Sequence, residues 1–364
     1  MKIGIVMFQN MRYAPFLKMY EEILRSVPGV EYDVLYFDRD RSLQETKRRP
    51  YIALPWYGKG TLAAPKYEKA LNFLLYARNA KRTIQKNRYD FLIVLTTFPA
   101  VLLSGFLTKR YPGRYLVDIR DYTQEHFGPY YRMESKVLTG AAMRAISSPG
   151  FVNFLPPAEY CVCHNFTMEE SVTACPAFTK AAGEKVVISY IGSISYETQC
   201  KQLIDLVEKD DRFIFRFYGN EANGTEVSEY VRRVHNDRIQ MMGAFSPGDR
   251  PAIYGASDLV FNCYGNESPL VKYAISNKYY DGAIYKKPLL VSPGTAMAEY
   301  AGPYAYALDL GTVRSLDGLW DWYWALDTEK FAQYAQQVIQ TARQENGLFC
   351  QKVRACLNRK QITR

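Results

Sequence analysis

The sequence predicts an α/β protein made of two doubly wound parallel sheets in tandem. Three observations predict it. A chain of 364 residues with 48% hydrophobic and 15% aromatic content exceeds what one core organises, because single cores stop growing at about 250 to 300 residues. Apolar runs rich in Ile, Val, Leu and Tyr alternate with amphipathic stretches, the pattern of strands covered on both faces by crossover helices. That alternation occurs twice. The break falls at 165–184, which lacks a strong period and carries Pro176 and Gly183, so the linker is expected there.

The first series of expected strands is Lys2–Phe8, Tyr32–Phe37, Phe91–Leu95, Tyr115–Asp118, Ala145–Ser147 and Tyr160–Cys163. Helices are expected over Ala14–Val27 and over Ala64–Asn87, where Lys66, Lys69, Arg78, Lys81, Arg82 and Lys86 cluster with Arg88 just beyond. The uncharged run Phe91–Thr108 contains Pro99 and Gly105 and is short for a membrane span, so it reads as a strand, a turn and a helix start. The second series is Val186–Ile191, Phe213–Tyr218, Ile239–Met242, Leu259–Cys263, Pro288–Ser292 and Tyr304–Leu308. Helices fit between these at Thr198–Glu208, Val227–His235 and Asn277–Tyr285, and the tail turns helical, with Trp320, Trp322 and Trp324 helping to pack one helix and Glu329–Asn358 forming another. The expected domains are therefore 1–168 and 185–328, with C-terminal helices over 329–364 packing back toward the first.

Charge separates the two halves. Of 46 Lys+Arg and 37 Asp+Glu, residues 1–170 hold 24 and 16, leaving 22 and 21, so the net +9 divides as +8 and +1. A basic N-terminal half implies an anionic counterpart, such as a membrane face contacted by 64–88. Nucleic acid is not expected, because no recognisable module accompanies the basic residues. The start of the chain shows no secretory leader and the seven cysteines show no paired spacing, so a cytoplasmic location is expected, with the sequons at Asn165, Asn223 and Asn266 idle. Metal chemistry is not expected. With three histidines in all, Cys161-x-Cys163-His164 has no second ligand pair, and Asp38-Arg39-Asp40 reads as a solvated loop.

In open parallel sheets, ligands bind beyond the carboxyl ends of the strands, and phosphates favour backbone N–H groups at glycine turns and helix starts. Gly192-Ser193-Ile194-Ser195, Tyr218-Gly219-Asn220 and Met242-Gly243-Ala244 each follow an apolar run. A fourth segment, Ser276-Asn277-Lys278-Tyr279-Tyr280-Asp281, opens a helix with a lysine in its first turn and an acid at i+3. Lys278 is suited to a diphosphate and Asp281 to ribose hydroxyls. The alternative is a surface ion pair between the two.

In their order, Tyr190-Ile191-Gly192, Phe217-Tyr218-Gly219, Met242-Gly243, Ala256-Ser257-Asp258-Leu259 and Asn277-Lys278 through Lys287-Pro288 resemble the donor domain of family 4 glycosyltransferases. Val117-Asp118-Ile119-Arg120-Asp121, Ala145-Ile146-Ser147-Ser148 and Cys163-His164-Asn165-Phe166 resemble N-domain landmarks of the branch that builds O-antigen and capsule. The resemblance implies the GT-B fold, two Rossmann-like domains facing a central cleft. It also implies sugar transfer from a nucleotide-sugar, a UDP-sugar first, to a glycan or lipid-linked glycan, with retention and without a metal. Gly192, Ser193, Lys201, Gly219, Gly243, Asn277, Lys278 and Asp281 would bind the donor. Asp121, Arg120 and His126 would serve the acceptor, with Asp121 or His126 taking its proton if the anomeric centre inverts; the alternative is that Asp118 to Asp121 form a self-satisfied Asp-Arg turn. The chain departs from the family at Ser193, where an arginine is usual, leaving Lys201 as the nearby cation. Asp281 replaces the usual glutamate, and Tyr273 stands near its usual upstream partner. A sugar-nucleotide epimerase of the same fold and a non-catalytic scaffold are the rival readings.

Overall fold

The computed structural model describes residues 1–11, 14–37, 49–55, 65–166, 185–222 and 224–362. Asp38-Arg39-Asp40, most of the expected linker and Asn223 lie outside the described residues. The chain divides into two compact units, Met1–Thr167 with Gln344–Arg364, and Met168–Arg343.

In the first unit seven parallel strands run β1 (Lys2–Met7), β2 (Glu31–Phe37), β3 (Tyr51–Leu54), β4 (Phe91–Leu95), β5 (Tyr115–Ile119), β6 (Met143–Ile146) and β7 (Cys161–Val162). They are ordered β3-β2-β1-β4-β5-β6-β7. β1, β4 and β5 are almost wholly buried, as unbroken Ile, Val and Leu runs require of strands covered on both faces. The expected strand-turn-helix reading of 91–108 matches β4 followed by helices Thr97–Leu102 and Ser104–Arg110. The edge strand β3 was not expected, because four residues after Pro50 give too short a period to detect. Helix Thr328–Ile362 contributes Phe349, Val353 and Leu357 to the core formed by Ile3, Ile5 and Tyr20. Their i, i+4 spacing aligns them on one face. Asn346 fastens this helix to the end of β7, accepting from the His164 amide at 2.8 Å and donating to the Phe166 carbonyl at 3.1 Å.

In the second unit six parallel strands run β8 (Val186–Ile191), β9 (Phe213–Tyr218), β10 (Ile239–Gly243), β11 (Leu259–Asn262), β12 (Leu289–Val291) and β13 (Ala305–Ala307). Their order is β10-β9-β8-β11-β12-β13. Both sheets reverse order beside their first strand, between β1 and β4 and between β8 and β11, which is where an open α/β sheet leaves a crevice at its carboxyl edge. Phe213, Phe215, Phe217 and Phe261 fill this second core, against which Trp320, Trp322 and Trp324 pack partly buried.

Candidate functional site

The carboxyl ends of β8, β9 and β10 are neighbours, and their loops continue the pairing. The Gly192 amide donates to the Tyr218 carbonyl (2.8 Å), Gly219 to Gly243 (2.7 Å) and Ile194 to Asn220 (3.0 Å). The three glycines expected at the donor site therefore stand side by side. All three have positive φ: 129°, 136° and 81°. At Gly219 only glycine fits, since a Cβ there would lie 1.9 Å from the Gly192 carbonyl oxygen. Tyr190 supports the same loop from below, its hydroxyl donating to the Ser193 carbonyl at 2.8 Å and accepting from the Ser195 amide at 3.2 Å. Ser193 itself is exposed. Tyr190 is a supporting residue that the sequence reading missed, because a tyrosine inside an apolar strand reads as core.

Lys278 reaches this loop from the helix Asn277–Ile284, whose N-cap Ser276 accepts the Lys278 amide. Its ammonium lies 3.5 Å from where a Cβ on Gly192 would stand. It rests over the rings of Tyr190 and Tyr264, 5.5 and 5.3 Å from their centroids. Burial pushes its pKa down to about 8, Asp281 raising it and Arg250 lowering it further. Among the described residues no carboxylate forms an ion pair with Lys278. The site therefore holds a half-buried cation against glycine backbone, an arrangement that favours an anion.

Asp281 departs from its expected role. It is buried, accepts the Tyr254 hydroxyl at 2.7 Å and faces Arg250 at 3.9 Å, while burial pushes its pKa up. Its i+3 spacing from Lys278 brings it near that lysine, but its carboxylate is engaged within the protein. Lys201 is turned elsewhere as well, since it pairs with Glu197 one turn back and lies over the Tyr230 ring. Arg250 is the cation that the sequence reading missed, because it opens a short helix far along the chain from Lys278. Asn277 is exposed at the helix start.

In the first unit the acceptor candidates follow β5. Arg120 is buried rather than open to an acceptor, as the alternative of a self-satisfied Asp-Arg turn has it. It pairs with Asp118 at 2.7 Å, donates to the Cys163 carbonyl and to Asn165, and lies over the Phe16 ring. Asp118 also accepts the Tyr20 hydroxyl at 2.8 Å. The pair thus ties β5 to the end of β7 and to the helix Leu17–Arg25. Asp121, by contrast, is open to solvent. Surrounding protein still displaces enough water to push its carboxyl up to about 6, Arg120 opposing and Glu125 adding to the rise. His126 is exposed and shares a 3.0 Å hydrogen bond with the Tyr122 hydroxyl, the two rings stacked.

Beneath this loop lies an acid pair that the sequence reading did not single out. Glu125 accepts the Thr123 amide, while fully buried Glu134 has no donor to either carboxyl oxygen among the described residues. Burial and Glu125 push Glu134 up to about 8, so near neutrality it is a neutral acid, and burial raises Glu125 beside it as well. At the end of the neighbouring β4, Thr96 has φ 75° and ψ 157°, a strained conformation for a side-chain-bearing residue. No group of three His, Cys, Asp or Glu side chains suited to a metal occurs among the described residues. Among them, too, no helix is long and apolar enough to cross a membrane.

Solved structures with this arrangement cover the chain end to end. Sucrose-phosphate synthase from Thermosynechococcus elongatus superimposes with a TM-score of 0.70 at 12% identity, covering 97% of this chain and 99% of that one. The fold is GT-B. HepE of Anabaena in complex with UDP gives 0.69 at 15% identity over 98% and 100%. MurG of Acinetobacter baumannii gives 0.55 at 14% over 94% and 100%. No family profile and no curated protein sequence matches the chain.

Proposed function

We propose that this GT-B chain is a glycosyltransferase that takes a sugar from a nucleotide-sugar, UDP-linked first, and passes it to a glycan or lipid-linked glycan in surface polysaccharide synthesis. One observation carries the reading. The Lys278 ammonium stands over Gly192, without a carboxylate partner among the described residues, where three strand-end glycines meet. HepE, of the same fold, is described in complex with UDP and with UDP-glucose, which supports that choice of nucleotide.

In this reading the bond from the anomeric carbon to the diphosphate oxygen breaks while the acceptor oxygen bonds to that carbon. Lys278, with Arg250 behind it and the Ser193 amide of the Gly192 loop, neutralises the departing diphosphate, so no metal is required. Asp281 holds Arg250 and tempers the charge on Lys278 rather than touching ribose. With retention the acceptor proton passes to the leaving phosphate, and with inversion it passes to Asp121 or His126. The acceptor reaches the enzyme at an anionic inner membrane face. Helix Lys66–Asn87 suits that contact, with exposed Tyr67, Leu71 and Leu74 followed by exposed Arg78, Arg82 and Lys86.

Calorimetric titration with UDP tests the donor site. The wild type binds, and Lys278→Met weakens binding at least about tenfold, the scale of one charge-assisted contact. No heat with UDP, GDP or their sugars would return the chain to the scaffold reading.

A further inference from the structure

At the opposite, amino edge of the first sheet lies a cationic hollow of about 390 Å³. Arg88, Arg110 and Arg114 line it, with Tyr111 and Phe106 supplying aromatic surface. It lies where β4 and β5 begin, whereas Thr96 and Asp121 follow the ends of those strands. Five-residue strands separate the two edges by about 16 Å. Among the described residues no carboxylate pairs with any of the three guanidiniums. Among the described residues Asp90 is the one acid in the lining, and its carboxylate accepts the Lys2 amide at 2.7 Å.

The hollow is built rather than incidental in two respects. Arg114 is held in place, donating to the Arg110 carbonyl at 2.6 Å and lying over the Tyr111 ring 4.8 Å from its centroid. Arg88 closes the helix Lys66–Asn87 in the left-handed conformation, φ 53° and ψ 52°, where glycine is favoured and a side chain costs about 1 kcal/mol. Three positive groups against one carboxylate leave two charges to balance. Planar guanidiniums match phosphate oxygens two at a time.

We propose that this hollow binds a dianionic phosphomonoester, with the aromatic floor under the body that carries it. This site is separate from the Lys278 site and does not depend on glycosyl transfer. The phosphomonoester has two sources, a soluble phosphorylated metabolite or a phosphatidate headgroup presented at a bilayer.

The test uses the full chain in three forms: wild type, Arg88→Gly and Arg110→Ala/Arg114→Ala. Arg88→Gly relieves backbone strain, so it removes the guanidinium without threatening the fold. Glycerol 3-phosphate is titrated calorimetrically, and co-sedimentation is measured with phosphatidylcholine vesicles containing phosphatidic acid or, at matched charge, phosphatidylglycerol. The expected result is binding of glycerol 3-phosphate that falls at least about tenfold in each variant, with UDP binding and thermal unfolding retained. A preference for phosphatidic acid over phosphatidylglycerol that both variants lose assigns the headgroup source, and its absence assigns the soluble one. Equal glycerol 3-phosphate binding by all three forms, or no binding by the wild type, would overturn the proposal.

Discussion

The lowered pKa of Lys278 makes nucleotide binding a proton-linked event whose size follows from the structure. In the free protein its ammonium titrates at about 8, against about 10.4 for an unburied lysine. A bound diphosphate favours the charged form and returns the pKa at least to the ordinary value. Below pH 8 the lysine is already charged and affinity is full. Above pH 8 binding must take up a proton, so the dissociation constant rises about tenfold per pH unit, up to roughly 200-fold in all. Calorimetry at pH 7 to 9 in buffers of different ionisation enthalpy measures this directly, with uptake near zero at pH 7 and most of one proton at pH 9. Lys278→Met removes both the uptake and the pH slope, which also controls for titration of the nucleotide. Flat affinity across that range, or equal uptake in the variant, would refute the assignment of Lys278 to the diphosphate.

Four further outcomes are expected. Gly219→Ala drives a Cβ into the Gly192 carbonyl, so loss of UDP binding should accompany destabilisation of about 2 to 4 kcal/mol in chemical denaturation. Glu134 is protonated in the folded state up to about pH 8 but only to about 4.3 when unfolded. Its contribution is therefore lost as pH rises between those values, and Glu134→Gln should gain up to about 5 kcal/mol over wild type by pH 8, read from urea midpoints. Arg120→Met strands the buried Asp118 charge and should cost about 3 to 5 kcal/mol, with Asp118→Asn added to it restoring much of the loss. If Asp121 is the acceptor base, the rate of sugar transfer rises with pH through about 6 and Asp121→Asn abolishes that limb; an unchanged profile removes it from the mechanism.

The strands were legible in the sequence wherever burial on both faces forced an unbroken apolar run, as in Val186–Ile191 and Phe213–Tyr218, whose limits the structure reproduces. β3 was not legible, because a four-residue edge strand needs no such run. The glycine loops were legible for a related reason: positive φ at all three and close backbone approach at Gly219 favour glycine, and a strand before each one marks the carboxyl edge. Side-chain roles were harder to read. The i+3 spacing of Lys278 and Asp281 was visible, but that Tyr254 and Arg250 engage Asp281 depends on a helix well before it in sequence. Arg120 likewise resembles a cleft residue in sequence, because the partners that enclose it lie 43 and 45 residues away. The Glu125–Glu134 pair gave no sequence signal, since two acids nine positions apart are ordinary on solvated surfaces.

The core position of Phe349, Val353 and Leu357 has a consequence for how the chain matures. During synthesis the N-terminal sheet emerges from the ribosome long before the helix that completes its interior, and its apolar seat stays open while the whole second unit is made. Residues 1–167 expressed alone should therefore be prone to aggregate. Supplying 344–362 as a separate peptide should restore their solubility.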